Sequence, residues 1–141
     1  RAVLFLQQKI LTNKEKKMNL NTLFKINVFV SGLFGLGFVL APEATLAPYG
    51  LSQEIIDGSV MVARWFGGAN IGYAILSWMM SNSQDSDAKT NVAKAYSIGF
   101  GISFLISIQN QLSGEMNSLG WSTVILFAAF SIAFGKFAFK K

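Results

Sequence analysis

The sequence predicts an all-α membrane protein: an up-down bundle of four transmembrane helices with both termini on one side, the inner side. Three observations carry this. Hydrophobic residues make up 52% of the 141 residues and charged residues only 13%, against about 25% charged in a soluble domain, so there is too little charge to give a globule a wettable surface. The apolar residues also fall in four blocks, each of the roughly 17–25 residues that a helix needs to cross a bilayer. Finally, the basic residues gather at alternate block ends, which is how charge orients helices in a membrane. A helix satisfies its own backbone in lipid, whereas four separate strands could not close into a barrel.

The first 21 residues form a basic N-terminal segment. In "RAVLFLQQKILTNKEKK" an apolar core too short to span precedes a cluster of lysines. The stretch begins without Met, and Met18 stands just ahead of the first span. Three readings compete: an interfacial helix on the inner leaflet, the remnant of a targeting sequence, or upstream sequence carried along. The interfacial helix is favoured.

Residues 22–141 form the transmembrane domain. Its first span is Thr22–Ala41, closed by Pro42. The outer loop that follows, Pro42–Ser59, should contain an interfacial turn of helix around Ser52–Asp57, with Ser52 as its cap. The second span is Val60–Met80, followed by the polar loop "SNSQDSDAKTN". The third is Val92–Ile108 and the fourth Leu119–Phe139, with "QNQLSGEMNS" between them. Short connections predict antiparallel packing of sequential neighbours.

Charge tests the layout independently. Arg1, Lys9, Lys14, Lys16, Lys17 and Lys25 lie on the inner N-terminal side, Lys89 and Lys94 at the second loop, and Lys136, Lys140 and Lys141 at the C-terminal end. The two outer connections hold Glu43, Glu54, Asp57 and Glu115 and no Lys or Arg. Only Arg64 breaks the pattern. Trp78 and Tyr96 fall near the inner interface, Tyr49 and Trp121 near the outer one, where amphipathic rings prefer to sit. Asn27, Lys25, Lys94 and Lys136 lie near the inner edge, within snorkelling reach.

Helices in lipid associate through small residues that let backbones approach. The second span carries Gly68 and Gly72 beside Gly67, and the third carries Ala95, Gly99, Ser103 and Ser107. The first carries Ser31 and Gly35; the fourth carries Ala129 and Ala133, and Ser131 and Gly135. Gly68, Gly72, Gly99 and Ser103 are therefore the expected helix-packing groove. Such a face serves packing within the bundle, another subunit, or a flat ligand such as a pigment, quinone or sterol.

Two polar residues stand out in "ARWFGGANIGYAILSW". Asn70 is at the centre of the second span, and Arg64 lies six residues outward, about 9 Å from the midplane. One reading has Arg64 anchor the outer loop through Asp57, Glu54 or Glu43. The other makes Arg64 and Asn70 an anion or headgroup site, or a contact to a partner. Asn70 is expected to hydrogen-bond across to Ser31, Ser103 or Ser107.

The chain contains no Cys and no His. That removes disulfides, thiol chemistry, His-based catalytic pairs and the usual axial haem ligand. No Asp or Glu sits within a span, which argues against a proton relay or a cation-coupled carrier. No catalytic residue and no metal site is expected.

The segments "PEATLAPYGL" and "ARWFGGANIGYAIL" resemble a pattern of the DoxX-like group of small four-helix membrane proteins. In that group an outer loop with Pro and Tyr-Gly leads into a second span with an R-x-x-G-G-x-x-x-G core; here these are Pro48, Tyr49 and Gly50, then Arg64, Gly67, Gly68 and Gly72. The resemblance implies the four-span fold and little chemistry.

Size, small-residue faces and the absence of catalytic groups lead to the expectation of a non-catalytic accessory subunit of a larger membrane complex, with a respiratory or photosynthetic host and an inner or thylakoid membrane in view. Lipid, chlorophyll or carotenoid contacts would fit there, although no motif indicates a cofactor. Membrane lipids and other integral membrane subunits are the expected partners, and nucleic acid is not. The alternative is a small-molecule or lipid carrier using an Arg64–Asn70 cleft.

Overall fold

A computed structural model describes residues 1–15 and 18–140, with side chains for 1–8 and 18–140. The described residues are all helical, without strands: α1 (Ala2–Glu15), α2 (Leu20–Leu40), α3 (Pro42–Leu46), a 3-10 turn (Ala47–Tyr49), α4 (Gln53–Asn82), α5 (Asp87–Leu112) and α6 (Gly120–Ala138). Three helices, α2, α5 and α6, are long and apolar enough to cross a membrane. Helix α4 covers the second predicted span, but Arg64, Asn70 and its glycines dilute its apolar character.

Caps explain several boundaries. The Asn19 side chain accepts from Thr22 N at 2.8 Å and starts α2, and Ser86 does the same for α5 through Lys89 N at 3.2 Å. Ser52 caps as expected, accepting from Ile55 N. What it starts differs from expectation: the interfacial turn at Ser52–Asp57 is the first part of one continuous 30-residue helix, about 45 Å long. Gly58 follows Asp57 but does not take the left-handed conformation of a helix-ending glycine, and no proline follows, so the helix runs on. The separate short helix lies earlier, at α3, where Pro42 occupies the first position that its missing N–H favours.

In α1 the side chains of Val3, Leu4, Phe5 and Leu6 are exposed. The lysine cluster expected to hold this segment at a surface includes Lys16 and Lys17, which lie outside the described residues, as does Lys141.

The long helices form two antiparallel pairs, α2 with α4 and α5 with α6. The first pair meets where Gly35 faces Gly67. A Cβ on Gly35 would lie 2.9 Å from Ile71 N, and one on Gly67 would lie 2.8 Å from Gly35 O. The second pair is clamped by reciprocal bonds: Ser97 Oγ donates to Ser131 O at 2.9 Å, and Ser131 Oγ donates to Ser97 O at 2.8 Å. Small residues do mediate close approach, Gly35 and Ser131 among those expected on the helix faces, but the glycines of the expected groove do not. Gly68, Gly72 and Gly99 face open space. On α4 the packing stripe runs through Ala63, Gly67, Ala74 and Ser77, and Gly68 and Gly72 are rotated off it.

The two pairs join through a core of Leu23 and Phe24 from α2, Ala93 and Tyr96 from α5, and Phe130, Phe134 and Ala138 from α6. Tyr96, expected near the inner interface, is buried at the centre of this cluster, edge-on to Phe134 with centroids 5.2 Å apart. Lys89 is 1% exposed, bonding to Asn21 Oδ1, to Ser83 O at 2.9 Å and to Asp85 at 3.3 Å. It ties the α4–α5 connection to the start of α2.

Candidate functional site

Away from that core the two pairs separate. Between them lies a cavity of about 390 Å³, within the roughly 300–1,000 Å³ of small-molecule sites. Its walls are aromatic: Phe34 and Phe38 from α2, Phe66 from α4, Phe100 from α5, Phe127 and Phe130 from α6. Phe100 lies nearly parallel to Phe130, with centroids 5.0 Å apart and planes at 23°, and nearly parallel to Phe127. Polar groups also line it, from Asn27, Ser31, Asn70, Ser103, Ser107, Asn110 and Thr123, with the Tyr49 hydroxyl. No charged residue does.

One end of the cavity is closed by loop against loop. Leu46, Tyr49, Leu51 and Met116 line this end. Asn117 pins the two connections together: its Nδ2 donates to Pro48 O at 2.8 Å, and its backbone N–H donates to Tyr49 O at 2.8 Å. Thr123 Oγ1 donates to the Tyr49 hydroxyl at 3.2 Å. Gly50 turns the chain with φ +73 and lets Asn117 sit against it; a Cβ there would meet Asn117 Nδ2 at 2.8 Å. Both the left-handed conformation and the space call for glycine.

At the other end the floor is hydrogen-bonded. Ser31 Oγ donates to Asn27 Oδ1 at 3.1 Å, and Asn27 Nδ2 donates to Ser77 Oγ at 2.8 Å. Ser77 Oγ donates to Tyr96 Oη at 3.1 Å, and Tyr96 Oη donates to Tyr73 O at 3.0 Å. Three helices are linked by this chain. Asn27 and Ser77 are 0% exposed, and burial of such groups demands that they be paired.

The structure divides the residues singled out from sequence. Asn70, Ser31, Ser103 and Ser107 do line one cavity. Asn70, however, donates to Phe66 O on its own helix at 2.9 Å rather than across to a serine; the carbonyl one turn back is its nearest acceptor. Arg64 is exposed and does not line the cavity. Six residues on a helix separate Arg64 and Asn70 by about 120° around its axis, so no cleft holds both.

The expected carboxylate partners are engaged elsewhere or apart. Asp57 accepts from Gln53 Nε2 at 2.7 Å, while Glu54 and Glu43 sit in the first turns of α4 and α3, where a negative charge complements the helix dipole. Among the described residues the ion pair is Lys89–Asp85, and Arg64 forms none.

Asn27 is the residue that sequence reading misplaced. Expected at the inner edge with its side chain free to reach outward, it is fully buried. A signal was available: Asn27, Ser31 and Gly35 recur at four-residue spacing on one face, while Ile26, Phe29, Leu33 and Leu36 take the exposed positions.

No group of His, Cys, Asp and Glu that would hold a metal occurs among the described residues. Comparison with curated proteins and with solved structures returned no match. A family model does match, over residues 3–139, and its description states neither an activity nor a link to the DoxX-like group. The match spans almost the whole of the chain, which therefore belongs to the family described as "Domain of unknown function (DUF8292)".

Proposed function

We propose that this protein is a four-span membrane bundle, N-in and C-in, which binds a neutral, flat, largely apolar small molecule between its two helix pairs without transforming it. The single observation that carries the reading is the uncharged, aromatic-walled cavity of about 390 Å³ with a few placed polar groups, the usual make-up of a small-molecule site. The absence of a cation from the lining favours a neutral ligand over an anion or a headgroup phosphate. Pigments without metal, quinones, sterols and other isoprenoids are of this class. The side chains at the cavity offer hydroxyls and amides that orient a ligand, and none with the acid–base strength that chemistry at neutral pH requires.

Extraction in mild detergent followed by mass spectrometry of bound small molecules tests this. The expected result is one apolar compound retained near stoichiometry by the wild type and lost from Ser103→Phe, which fills the cavity. Recovery of bulk membrane lipid alone, equal in both, would sink the reading.

A second reading, an accessory subunit of a larger membrane assembly, is favoured by a different observation. Gly68 and Gly72 form an open strip beside exposed Arg64 and Trp65 on α4, a surface on which another helix can lie closely. Migration on native gels only as a free species or a small homo-oligomer would count against it.

A further inference from the structure

The hydrogen-bond chain under the cavity has a fixed direction, and that direction says what kind of polar group the ligand carries. Its far end is Tyr73 O, a carbonyl, which can only accept. Tyr96 therefore spends its single hydroxyl proton there, at 3.0 Å. The Ser77 proton must then go to Tyr96 Oη, 3.1 Å away. Ser77 can now only accept from Asn27, which has to present its amide N–H₂ at 2.8 Å. That orientation turns Asn27 Oδ1 toward Ser31, and Ser31 gives its proton to it at 3.1 Å. Every hydroxyl proton in the chain is committed away from the cavity.

Ser31 lines the cavity and offers it only lone pairs. The other polar lining groups are mixed. Ser107 donates back to Ser103 O at 2.7 Å, the Ser103 hydroxyl has no partner among the described residues, and Asn70 keeps one N–H and its Oδ1 after bonding Phe66 O. Ser107 has thereby spent its proton and likewise only accepts, whereas Ser103 and Asn70 serve a donor or an acceptor equally. Ser31 has its polarity imposed by a chain that crosses three helices beneath the cavity.

Resting on the cavity-binding reading above, we infer that the ligand enters with a hydrogen-bond donor at the Asn27–Ser31 floor, and that this donor is a neutral hydroxyl. An ammonium donor would be left without a counter-charge in an uncharged site, which is costly. A ketone or a quinone carbonyl would meet the Ser31 lone pairs and leave both groups unpaired. The site is thus one for a lipid-soluble alcohol rather than for its oxidised counterpart.

The test is titration of the purified full-length protein, in one detergent, with cholestanol and with cholestanone, which share a ring skeleton and differ in hydroxyl against carbonyl. The alcohol should bind roughly tenfold more tightly, the worth of one buried hydrogen bond. Ser31→Ala should bring the two affinities together by weakening the alcohol. Ser77→Ala is the second variant. Ser77 does not line the cavity, and its removal frees the Asn27 amide to turn over and Ser31 to donate, so the preference should fall toward parity while binding persists. Equal affinities in the wild type, a preference for the ketone, or an undiminished preference in Ser77→Ala would each overturn the donor assignment and leave the cavity reading standing. Failure of the wild type to bind either compound would overturn both.

Discussion

Asn27 concentrates the energetics of the bundle in one side chain. It is 0% exposed and bonds both Ser31 and Ser77, one on its own helix and one on α4. Hydrogen bonds between helices in a membrane average about 0.6 kcal/mol and reach about 1.7, because unfolded helices in lipid also find partners. Asn27→Ala removes one such bond, to Ser77, and one within α2, to Ser31, and leaves a gap where a buried side chain stood. The expected loss is about 1–2 kcal/mol in SDS-induced unfolding from mixed micelles. Asn70→Ala is the control: its bond runs to Phe66 O within one helix, and its loss should shift unfolding by less than about 0.5 kcal/mol. A larger effect at Asn70 than at Asn27 would show that the buried chain does not hold the helices. The sequence drew attention to Asn70 instead, because a polar residue in mid-span is conspicuous whereas one near a span end looks solvated. Depth along a helix is readable from residue number; the face on which a residue lies depends on its neighbours.

At the scale of elements, the α2–α4 pair is set by a point of backbone contact, whereas α5–α6 is held by its two serine bonds. Gly35 and Gly67 bring α2 against α4 so closely that either Cβ would intrude on backbone, at 2.9 Å from Ile71 N and 2.8 Å from Gly35 O. Neither obstacle is the end of a flexible side chain that can swing away. Gly67→Ala should therefore push α2 and α4 apart and cost more than about 2 kcal/mol, within the range of overpacking in a tight core. Gly68→Ala, one residue on, meets nothing within 4 Å, and should be neutral or stabilise by up to about 1 kcal/mol through helix propensity. Thermal unfolding of the two single variants in detergent checks the contrast, and equal losses would contradict it. GxxxG spacing could not separate these glycines: Gly67 and Gly68 are adjacent, and which one faces α2 follows from the stripe of Ala63, Gly67, Ala74 and Ser77 that the fold turns inward.

Over the whole molecule, many large apolar residues lie outside, and several small polar ones lie inside beside the aromatic core. Phe29, Leu40, Trp65 and Ile125 are each more than 65% exposed, while Ser31, Ser77 and Ser97 are buried. A soluble protein does not expose so many large apolar side chains together, and an apolar surface of this extent calls for lipid or protein to cover it. The proposed N-in, C-in topology can be tested directly because the chain has no Cys. Gln84→Cys in the α4–α5 connection and Ser113→Cys after α5 fall in loops separated by the full length of α5. A membrane-impermeant maleimide added to intact cells or sealed vesicles should label position 113 from the outer side and position 84 only after permeabilisation. Labelling of both from one side would rule out α5 as a span, and the reverse pattern would invert the topology.

Composition and block length by themselves determined the helical class, the bounds of the long helices to within a few residues for α2 and α6, and the grouping of charge at their ends, since these follow from local hydropathy and from capping by residues such as Ser52. They also singled out Ser31, Asn70, Ser103 and Ser107, which do share a cavity. Tertiary structure alone decided that the bundle is two close pairs with a gap between them, that Arg64 stands outside that gap, and that Asn27 bonds across to Ser77 beneath it. The reason is physical: in lipid the hydrophobic effect does not distinguish one apolar face from another. Rotation of each helix about its axis is then set by a few close contacts and buried hydrogen bonds, and those exist only once the helices are side by side.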